Sequence, residues 1–207
     1  MSLANQSIGK KLSRLFETID REVLEFQKAS GLSCAQGCGK CCLSPTVETT
    51  PVEMSLIVQD LLENGEFESY YRKAEKADFK GPCVFYKADP LFPDKGRCAV
   101  YPFRPSVCRL FGFAATTDKH DRPQLLTCKV IKEKQPQAVV RAQEAIDRNH
   151  PVPIMRKFAG RMIQIDPLSS DKSVPINTAF KIALEKIFLN GKFRGEYADR
   201  VVPNHQQ

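Results

Sequence analysis

The 207-residue sequence has no apolar run approaching the roughly 20 residues that a membrane-spanning helix needs. Its opening stretch, MSLANQSIGKKLSRLFETIDREVLEF, is broken by charge every few positions, so the uninterrupted apolar segment of a secretory leader is missing. Together these absences place the chain, as an expectation, in a reducing cytoplasm with no membrane partner. No G-x-G-x-x-G loop marks a nucleotide site, and no G-x-S-x-G elbow marks a serine hydrolase. A regular C-x2-C…H-x3-H finger and a basic-aromatic tract are also missing, which weighs against a zinc-dependent nucleic-acid reader. Internal repeats and low-complexity segments are absent. Histidine is scarce, and His120, His150 and His205 fall singly in loops or the tail, where exposure is the default. Asp89, Asp94 and Asp118 sit in turn-like loops, the usual place for aspartate, rather than as paired catalytic carboxylates.

An apolar fraction of 42% and a charged fraction of 27% describe a globular chain, and its length fits one domain over 1–207 with an ordinary core. The formal net charge is +7. Two ions each held by four thiolates would lower it to about +3. The basic residues are scattered, so a solvated basic surface is the simpler reading, with nucleic acid the weaker candidate partner.

Periodicity supplies the framework. Ile8, Leu12, Leu15, Phe16, Ile19, Val23 and Phe26 recur at helical spacing and predict an amphipathic helix over 5–29, ended by Gly31. Thr50, Pro51 and Glu53 read as a capping box opening a helix whose buried face carries Ile57, Leu61 and Leu62. A short charged helix follows at 66–77. The β-branched and aromatic runs CVFYK and RCAVY, within 82–101, predict a small β-hairpin. Pro105 opens a short helix stopped by Gly112, and 115–124 reads as a polar loop. Helices are expected at 136–148, 153–164 and 175–190, the last presenting Phe180, Leu184, Ile187 and Phe188. The loop DPLSSDKS precedes it, and a frayed basic tail occupies 192–207. The expected fold is mainly α: helices at 5–29 and 132–191 packed around an irregular, metal-bound cysteine core at 31–130 that includes the hairpin.

Eight cysteines stand out against this frame: Cys34, Cys38, Cys41, Cys42, Cys83, Cys98, Cys108 and Cys128. In a reducing compartment clustered thiols bind metal more often than they form disulfides. The spacing of the first four also fits one face of a helix, but Gly37 and Gly39 would each cost that helix about 1 kcal/mol, and glycines suit a loop that wraps an ion. Cys41 and Cys42 are adjacent, and neighbouring side chains diverge. They need not serve one ion: two metals lie side by side, or one thiol is spare. Eight thiols make two sets of four, the number for a tetrahedral zinc or a cubane iron–sulfur cluster, and spacing does not say which cysteines share a site. The stronger ligand candidates are Cys34, Cys38, Cys41, Cys83, Cys98 and Cys108. Adjacency complicates Cys42, and distance along the chain complicates Cys128. Lys40, Arg97, Arg104 and Arg109 neighbour cysteines and can offset thiolate charge. Arg104, fixed between Phe103 and Pro105, is the one expected to serve the cluster.

C-x3-C-x2-C-C at Cys34–Cys42, then Gly81-Pro82-Cys83, then G-R-C-x-V-Y-x-x-R-P-x-x-C-R from Gly96 to Arg109 resemble the YkgJ-like cysteine-cluster family of zinc- or iron-chelating domains, with Cys128 as the eighth thiol. The resemblance covers about residues 31–130. It implies a bacterial cytoplasmic protein with zinc or iron, or an iron–sulfur cluster, in its cysteine core. Longer flagellin lysine methylases look similar across the cluster, but the missing glycine-rich loop weighs against methyl transfer. C-x3-C-x2-C also resembles the cluster-binding spacing of radical S-adenosylmethionine enzymes; Lys40 stands where those carry an aromatic, and their run of βα units is not seen. Two function classes remain. One is a metal-binding module whose flanking helices dock a protein partner; the other is an iron–sulfur redox enzyme.

Overall fold

The computed structural model describes residues 3–93, 95–167 and 172–192. Eight α-helices and three two-stranded antiparallel ribbons make a mainly α fold among the described residues. In chain order the elements are α1 (Leu3–Ser30), β1 (Glu48–Thr49), α2 (Ser55–Glu63), α3 (Phe67–Lys76), β2 (Tyr86–Ala88), β3 (Gly96–Cys98) and α4 (Ser106–Leu110). They continue with β4 (Ala114–Thr117), β5 (Pro123–Leu126), α5 (Lys129–Lys134), α6 (Pro136–Asp147), α7 (Met155–Ile165), β6 (Val174–Pro175) and α8 (Ile176–Lys192). Asp94, residues 168–171 of the predicted loop, the side chain of Phe188, His205 and the tail beyond 192 lie outside the description.

The predicted helices form where apolar periodicity places them, because each buries the stripe that the periodicity creates. Two hydrophobic clusters result. The first gathers Leu12, Leu15, Phe16, Ile19, Val23 and Phe26 of α1 with side chains of α5, α6, α7 and β4. The second gathers Ile57, Val58 and Leu61 of α2, Tyr70 of α3, Phe85, and Ala179, Phe180 and Leu184 of α8. At its centre Phe85 meets Phe180 edge-on, with ring centroids 4.6 Å apart. Each fully buried Leu, Ile or Phe here contributes about 1.5–3 kcal/mol.

Two local expectations are corrected. Residues 115–124 are a hairpin rather than a loop: β4 pairs with β5 from Ala114↔Leu126 to Thr117↔Pro123. Ala114 and Ala115 are fully buried, and the Ala115 N–H donates to the Pro153 carbonyl at 2.8 Å. The Asp118 carboxylate closes the turn by accepting the His120 and Arg122 N–H groups. The Thr50–Glu53 capping box does not form either. Pro51–Met54 is a tight 3-10 turn, and Glu53 is buried, 6% exposed. Its carboxylate accepts from Thr49 Oγ1 at 2.9 Å and from the Ser106 N–H at 2.7 Å, so it braces the start of α4 instead of capping its own helix.

Side chains remote in sequence lock the middle of the chain. Asn177, at the start of α8 and 3% exposed, donates to the Asp78 and Pro82 carbonyls and accepts the Val84 N–H. Arg109, 4% exposed, donates to Asp20 on α1 and to the Arg104 and Pro102 carbonyls, and its guanidinium lies over the Phe16 ring.

Candidate metal centre

The first cysteine segment is a loop through Gly39, followed by one 3-10 turn at Lys40–Leu43. Gly39 has φ +58°, and a Cβ there would stand 2.8 Å from the Gly96 backbone and the Tyr86 ring. Gly96 is equally constrained, since its Cβ would fall 2.3 Å from Tyr86. These two glycines let the loop lie flat against the β2–β3 hairpin, where the Gly96 N–H donates to the Gly37 carbonyl at 2.9 Å. The predicted hairpin is therefore the platform for the loop. It pairs Tyr86↔Cys98, Lys87↔Arg97 and Ala88↔Gly96, with Cys98 on β3 and Cys83 three residues before β2. The Cys83 N–H donates to the Cys42 carbonyl at 2.8 Å, tying the two segments together.

All eight cysteines line one cavity of about 330 Å³ between the two hydrophobic clusters. Val23, Phe113 and Ile131 of the first cluster form one part of its wall; Ile57, Phe85 and Val100 of the second form another. The thiols divide between these walls. Cys83, 7% exposed, belongs to the second cluster, and Cys42, Cys98 and Cys108 pack against it. Cys128 packs against the first cluster, while Cys34 is exposed and Cys38 half-buried on the loop. Cys41 and Cys42 do not diverge to separate surfaces. Both reach the cavity, and their side chains hydrogen-bond.

Hydrogen bonding and burial set the charge on these sulfurs. Cys42 lies between Cys41 and Cys98 and hydrogen-bonds to both, which holds its own proton on. The same bonds pull Cys41 down to about 6 and Cys98 to about 7, helped by Arg104. Burial pushes Cys83 up to about 12 against an opposing Phe85 N–H bond, and it raises Cys108 as well. Cys34 meets solvent on one side, yet the chain packed behind it raises it to about 11, with Cys38, Cys41 and Cys128 adding to the effect. Backbone N–H groups aim at several sulfurs: Val100 at Cys98, Phe85 at Cys83, and Ile131 at Cys128 Sγ at 3.4 Å, where the thiol caps α5. Such donors favour thiolate and steady metal-bound sulfur.

Of the flanking cations, Arg104 acts on the cluster and Lys40 lines the cavity; the closest partners of Arg109 are Asp20 and backbone carbonyls. His120 and His150 are exposed, as expected. Among the described residues, no three His, Cys, Asp or Glu side chains already stand in an ion-holding arrangement. The donor set nevertheless fits a thiophilic ion: eight thiols face one largely apolar space, with Arg104 and N–H groups placed to balance thiolate charge. Loading would re-aim thiols rather than fill a finished cage. Sequence reasoning took Glu53 for a helix cap and missed Asn177 and Asp20, which position the segments around the site from distant elements and carry no local motif.

The family model titled "CxxCxxCC: Putative zinc- or iron-chelating domain" matches residues 33–144, which span every cysteine. No curated protein and no solved structure was found to match the chain.

Proposed function

The chain belongs to the CxxCxxCC family of zinc- or iron-chelating domains, and from that premise we propose that it binds zinc or iron through Cys34, Cys38, Cys41, Cys42, Cys83, Cys98, Cys108 and Cys128. The observation that carries this reading is the convergence of all eight thiols, from segments up to 94 residues apart, on one cavity. A bound ion would supply cross-links between those segments and a centre of negative charge. This chain's own groups would serve it in separate ways. The Phe85 and Val100 N–H groups steady the Cys83 and Cys98 sulfurs, Arg104 offsets charge, and Cys128 joins α5 to the site. Metal would then contribute directly to folding, as in other thiolate-held structural sites, and would persist in a reducing compartment. The flanking helices remain the proposed surface for a protein partner.

The test is metal and acid-labile sulfide analysis with an absorption spectrum on protein prepared without oxygen or added metal. Colourless protein holding zinc supports closed thiolate sites. Brown protein with iron and sulfide supports an iron–sulfur cluster and the redox reading. Serine at Cys38 and at Cys108 is expected to lower metal content; unchanged content and stability in both variants would overturn the proposal.

A further inference from the structure

We propose that the eight cysteines form two unequal metal positions: an inner one, retained, held by Cys42, Cys83, Cys98 and Cys108, and an outer one, exchangeable, held by Cys34, Cys38, Cys41 and Cys128. The inference rests on the cavity being a metal site and goes beyond that reading by assigning ligands and behaviour.

Packing divides the thiols in this way. The four inner cysteines all pack with the second hydrophobic cluster. Cys128 packs with the first, and Cys34, Cys38 and Cys41 pack with neither. Proximity agrees, since the cysteines that act on Cys34 are Cys38, Cys41 and Cys128. Cys98 in turn acts on Cys83, and both act on Cys108. Cys41 stands at the junction, beside Cys42 and close enough to influence Cys34 on one side and Cys83, Cys98 and Cys108 on the other, but unlike the inner four it does not pack with the second cluster. Adjacent residues 41 and 42 thus hand one thiol to each position.

Anchoring makes the positions unequal. Glu53 holds α4, which carries Cys108, and Asn177 holds the segment around Cys83 from elsewhere in the fold; Cys98 lies on β3, and the Cys42 carbonyl on the loop's 3-10 turn accepts the Cys83 N–H. Removing an ion from the inner cysteines would break the cross-link between segments that the second hydrophobic cluster gathers. The outer loop has exposed residues at Ser33, Cys34, Gln36 and Gly37, and it is fastened at Ser33 by a reciprocal pair of hydrogen bonds with Gln135. Lys40 and Lys129 lie exposed on the cavity lining and favour an anionic incoming ligand. Exchange there needs no electron transfer. An incoming thiolate or carboxylate bonds to the ion as one cysteine thiolate leaves, and the freed thiolate takes a proton from water. The class of acceptor is therefore a thiol- or carboxylate-bearing chelator that can approach from the loop side.

The experiment loads the full chain with zinc, or with ferrous iron if zinc does not bind. It then follows release to a chromophoric chelator together with the far-ultraviolet helical signal. Two ions per chain are expected, one leaving at least about tenfold faster than the other and without loss of helix. Cys34→Ser should abolish the fast phase and lower the ratio to one. Inner-position variants can fail to fold, so the decision rests on the native chain and on Cys34→Ser. Single-phase release, one ion per native chain, or loss of both ions in Cys34→Ser overturns the division while leaving a metal centre standing. A chain that takes up neither metal overturns both readings.

Discussion

The two walls of the cysteine cavity are built on opposite principles. The inner wall is assembled mainly from short elements far apart in sequence: the Cys83 segment and α4, held by the buried Asn177 and Glu53 side chains, and β3, paired with β2. The outer wall is one local loop laid against the β2–β3 hairpin, together with the first turn of α5, which packs on α1 and its neighbours. Position in the fold, not sequence spacing, makes the difference. The densest cysteine run in the chain supplies mainly the looser wall, and the scattered cysteines supply the tighter one.

Acid should have the largest effect, and it should fall on both walls. Cys42, Cys83 and Cys108 on the inner wall hold their protons well above neutrality, and each must release one on binding metal. Affinity then falls by up to about tenfold per such thiol per pH unit on acidification. Competitive metal titrations between pH 8 and pH 6 should show both ions weakening steeply, because ordinary and raised thiols alike hold their protons below pH 8, while Cys41 and Cys98, pulled down to about 6 and about 7, release less, one on each wall. Next in size is Arg109→Met, which cuts the link from α1 to the segment carrying Cys108 and takes the donor from the Arg104 and Pro102 carbonyls. Urea unfolding of the metal-free chain should show a loss of about 3 kcal/mol. Glu53→Ala strands the Ser106 N–H and should cost about 2 kcal/mol in the same assay, with faster release of the slow ion alone. The smallest effect belongs to the other wall. Gln135→Ala unfastens Ser33, should change global stability by about 1 kcal/mol or less, and should speed only the fast release phase. If Glu53→Ala and Gln135→Ala change both phases alike, the walls are not independent.

The helices were legible because their stripes are long: α1, α2, α6, α7 and α8 each bury the residues that periodicity selects. The β2–β3 hairpin was legible from its β-branched and aromatic runs. β4 was not, because Ala114-Ala115-Thr116-Thr117 has little pattern and its burial comes from Pro153 and Ile154. The β1–β6 pairing joins Glu48–Thr49 to Val174–Pro175, a contact between two-residue strands that leaves no local trace. Glu53 read as a cap because Thr-Pro-Val-Glu carries that signal, while its real partner is 53 residues away. At the site, the eight thiols stood out in the sequence, but that they line one cavity, and which hydrophobic cluster each packs against, follows from the fold. Arg104 and Arg109 looked alike beside Cys108; the fold shows Asp20 pairing with both, Arg104 also acting on Cys41 and Cys98, and Arg109 held further by the Arg104 and Pro102 carbonyls.

Asn177 has a consequence for where this unit can be cut. The stretch of sequence likeness stops at 144, yet this amide, 33 residues further on, joins the Asp78 and Pro82 carbonyls to the Val84 N–H around Cys83. A fragment trimmed to the matched limits would lose that clamp, and with it Phe180 from the face of Phe85. Grafted elsewhere, the same fragment would carry every thiol and lack the brace that keeps the buried ones in place. The smallest transplantable piece is set by the reach of α1 and α8, not by the span over which the family is recognised.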